Sequence, residues 1–201
     1  MLQNKSLSIL EIGFGKGHFL NFLKNIGYKN VDGVEIDRSL YEYTSKRKLG
    51  FRLFNMDAIN FLKKNQKKYD LIFVIDVLEH IPVNNLSTFL RFLGKNLSKG
   101  GTCIIRTVNA ESVLTGNFMR YIDSTHVNAF TRYSITPLLT EAGFEKILIR
   151  KQFFNKRLKY VPVRFSRCFV EFCFKFILSF YFGASAFSSI QTPNIVVYAK
   201  K

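Results

Sequence analysis

The chain has 201 residues, with 30 Lys and Arg against 14 Asp and Glu and a net charge of +16. This length can form one large hydrophobic core, and the three cysteines lie outside any zinc-ligand or Cys-x-x-Cys spacing, which argues against a disulfide framework. The charge would suit nucleic acid, but part of it lies in runs typical of solvated helices, such as residues 63–68, and no RNA-binding module is present, so nucleic acid is disfavoured.

The first predicted element is a buried parallel strand in the apolar run over residues 7–12. It leads into three alternating glycines, Gly13, Gly15 and Gly17, and then into a helical pattern over residues 19–26. A strand, a glycine turn and a helix N-terminus form a cradle for a nucleotide-like ligand, because glycine lets the backbone approach closely and adopt positive φ. The spacing is G-x-G-x-G rather than the G-x-G-x-x-G of dinucleotide sites, which argues against NAD.

Acidic residues follow the next two predicted strands. Glu35 lies at the end of a strand over residues 31–36, at the distance, about 20 residues on, where doubly wound folds place a carboxylate on ribose hydroxyls. After a third strand over residues 51–54, Asp57 and Ala58 offer a second position at the same edge of the sheet. The alternative role for Asp57 is to cap the helix that follows.

The fourth predicted strand, residues 71–75, is followed by the sequence DVLEH, which begins at Asp76. A fifth strand is predicted over residues 102–107, a sixth over 145–149 and a seventh over 194–199. Helical patterns alternate with the first five strands, which favours right-handed βαβ crossovers. The expected architecture is therefore α/β, with a doubly wound, mostly parallel sheet.

These motifs, in this order, resemble class I S-adenosylmethionine (SAM)-dependent methyltransferases over about residues 7–150. Glu11 and the three glycines match the family's E/D-x-G-x-G-x-G motif, and residues 69–82 resemble its YD-hydrophobic-DVLEH-hydrophobic-P segment. The resemblance implies SAM as the cofactor and a seven-stranded sheet that has helices on both faces and an antiparallel last strand. It also implies a set of cofactor-binding residues: Glu11, Gly13, Gly15, Gly17, Glu35, Asp57, Ala58 and Asp76.

The acceptor side of the site is predicted in the loop after the fifth strand. Residues 120–131 resemble the D-x-T-H-x-x-x-F-T segment of bacterial methyltransferases often associated with surface-polysaccharide modification. His126 is the predicted general base near the acceptor, and Asp76 and Asp123 are the other candidate catalytic residues. The alternative for His126 is a structural role that ties the loop to the domain, for example through Asp123. Because the N/D-P-P-Y/F loop of enzymes that methylate amide and nucleobase nitrogens is missing, hydroxyl acceptors are favoured.

The DVLEH segment also raises a metal-dependent alternative. Asp76, Glu79 and His80 match the carboxylate-x-x-Glu-His cluster with which ubiquinone-pathway and small-RNA 2′-O-methyltransferases hold a divalent metal, and His126 would be a fourth ligand. A metal there would lower the pKa of the acceptor hydroxyl. Since many metal-free relatives also carry DVLEH, we predict no metal and keep these residues as the alternative.

A basic, phenylalanine-rich insertion separates the last two predicted strands. The predicted organisation is a SAM-binding core over residues 1–150, a helical insertion over 151–191 and the final strand of the core sheet over 192–201. Residues 150–183 hold eight Lys or Arg against one acid, Glu171, and their apolar run is too short and too charged to cross a membrane. Three interpretations stay open: the helix covers its own core, lies in a bilayer interface, or is buried in a partner or a second copy.

The motifs together predict a SAM-dependent O-methyltransferase for a small or lipid-linked acceptor such as a bacterial glycan precursor. The alternatives are a quinone- or phenol-type O-methyltransferase at the membrane and a non-catalytic accessory protein with this fold. The expected location is the cytoplasm, at the inner face of the cytoplasmic membrane if the insertion docks there. The first strand begins within about seven residues of Met1, which leaves no room for a signal peptide or for the helices that usually cover the cofactor in this family.

Overall fold

The computed structural model describes residues 4–152, 161–183 and 189–201. Its centre is one sheet of seven strands in the order β3-β2-β1-β4-β5-β7-β6. The strands are β1 Ile9–Ile12, β2 Val31–Glu35, β3 Arg52–Asn55, β4 Tyr69–Ile75, β5 Leu97–Val108, β6 Lys146–Lys151 and β7 Asn194–Lys200. The first five strands pair in parallel, and β7 is antiparallel to both β5 and β6. The predicted fold class is confirmed.

In the described residues, seven α-helices surround the sheet. They are α1 His18–Asn25, α2 Arg38–Ser45, α3 Ala58–Lys64, α4 Val83–Asn96, α5 Gly116–Tyr121, α6 Arg132–Glu141 and α7 Val161–Phe182. Side chains such as Leu10 pack with Phe89 of α4 on one face, while Ile9 packs with Leu20 and Leu23 of α1 on the other. Because helices cover both faces, every residue of β1 is buried, as the continuous apolar run indicates.

The strand directions bring the ends of six strands to one edge of the sheet, which we call the carboxyl edge. The parallel strands β1 to β5 all end there, and so does β6, since it runs antiparallel to β7 while β7 runs antiparallel to β5. β7 begins at this edge, because Asn194 pairs with Val108, the last residue of β5. In open α/β sheets ligands bind beyond this edge.

The insertion between β6 and β7 contains α7, Val161–Phe182, which lies within the predicted helical insertion over residues 151–191. Three of the basic residues of the insertion, Lys156, Arg157 and Lys159, fall outside the described residues. Among the described parts of the chain, no helix is long and apolar enough to span a bilayer. The three-part division of the chain stays a prediction.

Candidate active site

The glycine turn after β1 has the backbone shape that the motif predicts. Gly13, Gly15 and Gly17 all have positive φ, at 71°, 50° and 68°. A Cβ on Gly13 would overlap the side chain of Val77, and a Cβ on Gly17 would overlap that of Thr44. A Cβ on Gly15 would meet no atom within 4 Å. Two of the glycines therefore permit close packing, whereas the third borders open space in which a ligand can approach the backbone.

Glu35 holds this turn from the end of β2. Its buried carboxylate accepts the backbone N–H of Gly15 at 2.8 Å through one oxygen and that of Asp37 at 2.9 Å through the other. A carboxylate has about four lone-pair sites, so two hydrogen bonds leave room for ribose hydroxyls. Glu35, which is predicted to bind the ribose, therefore also fixes the glycine turn that forms the cradle.

Glu11, at the second-last position of the strand before the turn, is a buried acid with an unusual environment. Its carboxyl oxygen Oε2 has no hydrogen-bond partner among the described residues. Burial, followed by the charge of Glu35, raises the pKa of Glu11 from 4.5 to about 8. The side chain is therefore held mainly in its neutral form at pH 7, next to the cofactor cradle.

Asp57 and Ala58 lie where β3 ends. Asp57 caps α3, since its Oδ1 accepts the backbone N–H of Asn60 at 2.9 Å, and Ala58 is the first residue of that helix. β3 neighbours β2, with Asn55 paired to Glu35. Because of the sheet order, Asp57, Glu35 and the glycine turn lie in a row along the carboxyl edge. An elongated ligand such as a nucleoside would contact all three. That Asp57 binds the cofactor stays a prediction.

Asp76 follows β4 with a strained backbone. Its φ of 54° is rare for a residue other than glycine and is often found at functional sites. Its carboxylate is ion-paired with Arg106 of β5, whose Nε donates to Oδ1 at 2.7 Å. This pairing raises the pKa of the Arg106 guanidinium. Arg106 was missed by sequence reasoning; the signal that could have indicated it is that it is the single charged residue of the predicted strand over residues 102–107.

Glu79 joins the turn after β4 to the loop after β5. Its buried carboxylate accepts the hydroxyl of Thr107 at 2.9 Å, and burial raises the pKa of Glu79 above its ordinary value. The backbone carbonyl of Glu79 accepts the N–H groups of Val127 and Asn128, at 2.8 and 3.0 Å. The loop that carries His126 is therefore fastened to the DVLEH segment.

His126 is buried in this loop, and its hydrogen bonds define its tautomer. The ring Nδ1 lies 2.8 Å from the carbonyl oxygen of Met119. A carbonyl oxygen only accepts, so Nδ1 carries the proton and a neutral ring keeps a lone pair on Nε2. The structure does not join His126 to the Asp123 side chain, which was the contact suggested for a structural role.

Asp123 instead orients His80 through Thr125. The Thr125 hydroxyl lies 2.7 Å from Asp123 Oδ1 and 2.9 Å from His80 Nδ1. Because the carboxylate can only accept, the hydroxyl donates to Asp123 and accepts from His80, which leaves the lone pair of His80 on Nε2. The hydrogen bonds from Thr125 also lower the pKa of Asp123.

Glu79, His80 and His126 come together as one cluster, which we call the EHH cluster. One ligand atom from each lies within 4.8 Å of the others, and the two imidazole rings meet edge to face at 4.8 Å between centroids. One carboxylate and two imidazole lone pairs are a donor set that suits a divalent transition metal. Asp76, the remaining residue of the predicted metal set, is paired with Arg106 instead.

The two halves of the site are adjacent. Val77, whose side chain fills the space beside Gly13, lies between Asp76 and the EHH cluster in the chain. The glycine turn, Glu35 and the parallel sheet define a Rossmann-like nucleotide-binding domain. Next to its cradle lies a cluster that can accept a proton or hold a metal.

A family model of methyltransferase domains matches residues 1–149. The chain belongs to this methyltransferase domain family, which confirms the predicted class of enzyme and its predicted cofactor, SAM. A solved structure of a SAM-dependent methyltransferase from Archaeoglobus fulgidus has the same fold, with a TM-score of 0.71 and 20% sequence identity, over 98% of this chain and 86% of that one.

Two curated proteins resemble part of the chain. It is 26% identical over 111 residues to a ubiquinone biosynthesis O-methyltransferase from Pelagibacter ubique, covering 52% of this chain and 43% of that protein. It is 24% identical over 135 residues to the mitochondrial ubiquinone biosynthesis O-methyltransferase from Dictyostelium discoideum, covering 60% and 39%. The matches span about two fifths of the length of these relatives.

Proposed function

We propose that this methyltransferase transfers the methyl group of SAM to a hydroxyl oxygen of a small or lipid-linked acceptor. The observation that carries the proposal is the buried imidazole of His126, whose Nε2 lone pair is left available beside the cofactor cradle. Such a group accepts the proton that an alcohol loses when it is methylated. The similarity to O-methyltransferases supports an oxygen acceptor.

The reaction is an in-line displacement at a sulfonium methyl group. The acceptor oxygen attacks the methyl carbon, the carbon–sulfur bond breaks and S-adenosylhomocysteine leaves, while the hydroxyl proton passes to Nε2 of His126. Alignment of the two substrates supplies much of the rate, which is the role of the glycine turn and Glu35. The carbonyl group of Met119 fixes the orientation of the His126 imidazole by accepting a hydrogen bond from Nδ1.

A metal-assisted form of the same reaction is the second candidate, and the composition of the EHH cluster favours it. Glu79, His80 and His126 would hold a divalent ion, which would lower the pKa of the acceptor hydroxyl. Asp123 and Thr125 would orient His80 from behind, as hydrogen-bonded partners of metal-bound histidines do.

Two acceptor classes follow from this proposal. The loop segment over residues 120–131 favours a bacterial glycan precursor, whereas the curated relatives favour a quinone or phenol. Exposed apolar side chains in the loop over the site, Phe118, Tyr121 and Ile122, support an acceptor with a lipid part. The enzyme would meet it at the inner face of the cytoplasmic membrane, through residues 150–183, and a homodimer through the same residues is the alternative.

The experiment is incubation of the protein with methyl-labelled SAM and cell extract divided into lipid and aqueous fractions. Label in the lipid fraction that survives mild base supports an ether on a lipid-linked acceptor. Label confined to water-soluble amines contradicts the proposal. A protein that gives no heat with millimolar SAM in calorimetry would instead be a non-catalytic accessory protein.

A further inference from the structure

Helix α7 leaves the sheet at the edge that carries the candidate active site. It lies in the connection from the end of β6 at Lys151 to the start of β7 at Asn194, and both of these positions are at the carboxyl edge. The loop between β5 and α6, which carries His126, departs from the same edge. Any surface bound by α7 is therefore tethered to the side of the domain on which an acceptor enters.

The apolar side of α7 is turned away from the domain. Phe165, Phe169 and Phe180 are 75%, 69% and 75% exposed, and Phe172 and Phe176 lie between them on the same side of the helix. We call these five side chains the phenylalanine face. Spacings of three and four residues place them on one stripe of the helix surface. A row of exposed phenylalanines of this length is not expected to remain in water.

The polar side chains of α7 lie on the less exposed side. Glu171 and Lys175 form an ion pair at 3.0 Å, with side chains only 25% and 19% exposed. Both line a cavity of about 470 Å³ that also borders Arg150 and Lys151 of β6. A helix that covered its own core would bury most of its phenylalanines, whereas five of the six whose side chains the structure describes are exposed and only Phe174 is partly buried. The described residues thus do not support the interpretation of α7 as ordinary core.

The charge beside this helix is positive. Arg150 and Lys151 are exposed and form no ion pair with any described acid, whereas Lys175 is paired with Glu171. Over residues 150–183 the sequence holds eight Lys or Arg and one acid, within a chain of net charge +16. A second copy would bring a surface of the same sign, which costs electrostatic free energy. An anionic lipid surface has the complementary charge and also a hydrocarbon layer for the phenylalanine face.

We infer that the phenylalanine face of α7 docks on an anionic lipid bilayer, with the neighbouring arginines and lysines at the headgroups. The inference rests on the membrane contact proposed above, for which it specifies the helix face and the lipid charge, and it does not depend on the identity of the acceptor. Burial of apolar side chains and attraction of basic residues are the two signals that stable peripheral attachment requires. Docking through α7 sets the carboxyl edge beside the membrane surface.

The test is co-sedimentation of the full chain with phosphatidylcholine vesicles that contain increasing fractions of phosphatidylglycerol. Binding should rise with the anionic fraction and fall as salt is raised, because exposed charges are screened. Phe169→Ser with Phe176→Ser should lower the partition coefficient by about tenfold or more. Phe22→Ser is the matched control, since Phe22 of α1 is 47% exposed and Phe176 is 50% exposed, and it should bind like the wild type.

A charge variant separates the two signals. Replacement of Arg150 and Lys151, both exposed, by glutamine should weaken binding by about fivefold per charge at low salt and should reduce the salt dependence. The phenylalanine variant should keep the salt dependence. SAM calorimetry on every variant reports whether the core is folded independently of the membrane. Binding that does not depend on lipid charge would overturn the inference. So would a dimer that forms without lipid in sedimentation and that the double variant Phe169→Ser with Phe176→Ser dissociates.

Discussion

Glu35 and Gly15 are joined by a hydrogen bond of 2.8 Å between the carboxylate of the first and the backbone N–H of the second. The last residue of β2 thereby fixes the turn that follows β1. The same carboxylate is the predicted acceptor for the ribose hydroxyls. Loss of this side chain would remove a cofactor contact and loosen the cradle in a single step.

Replacement of Glu35 by alanine should therefore weaken SAM binding by about 1–3 kcal/mol, because the ribose hydroxyls lose a charged acceptor. Calorimetric titration with SAM measures the effect. Glu42→Ala is the control, since Glu42 is an exposed residue of α2 that pairs only with Arg38 in the described salt bridges. Equal affinity in Glu35→Ala and the wild type would contradict the ribose assignment.

Gly15→Val should abolish SAM binding. Its Cβ would enter the open space beside the turn, and its φ of 50° is unfavourable for a β-branched residue. Gly50→Val separates backbone strain from obstruction of the cofactor. Gly50 also has positive φ, at 82°, with no atom within 4 Å of a Cβ, but it lies outside the glycine turn. The control should lose stability in thermal melting and keep SAM affinity. A Gly15→Val protein that binds SAM normally would place the cofactor elsewhere.

The sequence predicted the sheet well because the signals for it are local. Apolar runs, glycines and caps give the strands and their order, and the βαβ crossover rule gives their direction. The ends of strands were less accurate: β5 begins at Leu97, five residues before the predicted start. Residues 98–101 interrupt the register of this strand with β4, between the pairs Tyr69–Leu97 and Leu71–Thr102, and the two glycines there do not indicate that the strand already begins at Leu97.

The site was predicted less completely than the fold, since its details depend on contacts between distant parts of the chain. The pairing of Asp76 with Arg106 joins positions 30 residues apart. The tautomer of His126 follows from the carbonyl group of Met119, which no side-chain pattern encodes. The sequence also could not predict which side of α7 faces outward, because a helix that is apolar around most of its surface has no single side that must be buried.

A pH-dependent stability should arise from Glu11. Because its pKa rises from 4.5 to about 8 on folding, the folded state binds the proton more tightly than the unfolded state. The contribution of Glu11 to the free energy of unfolding is therefore complete below about pH 4.5 and is lost as the pH rises through 8. The melting temperature should therefore fall between pH 5 and 8. Glu11→Gln, which is neutral throughout, should flatten this fall in a fluorescence melting series.

Part of the fall in melting temperature with pH should persist in Glu11→Gln, because burial also raises the pKa of Glu79. Asp32 does not interfere in this range. Its pKa is lowered, with hydrogen bonds from Arg52, Lys67 and Tyr69 outweighing its burial, so its contribution is lost only in acid. An unchanged slope in Glu11→Gln would mean that Glu11 is already ionised in the folded protein at neutral pH.

The EHH cluster makes opposite predictions for a general base and for a metal. If His126 acts as the base, His126→Ala should lower kcat by about 10²–10⁴-fold with SAM affinity little changed, and EDTA should have no effect. If the cluster holds a metal, EDTA should abolish methyl transfer to the acceptor fraction, and Mg²⁺ or Mn²⁺ should restore it.

A second measurement distinguishes these cases without an acceptor. Titration of the protein with Mn²⁺ in a calorimeter should give one binding event if the cluster is a metal site, and Glu79→Gln should remove it, because the variant loses the only carboxylate in the cluster. Asp76→Asn should leave metal binding intact, since Asp76 is paired with Arg106 rather than with the cluster. Turnover that survives EDTA, together with no heat from Mn²⁺, leaves proton transfer to Nε2 of His126 as the role of this buried imidazole.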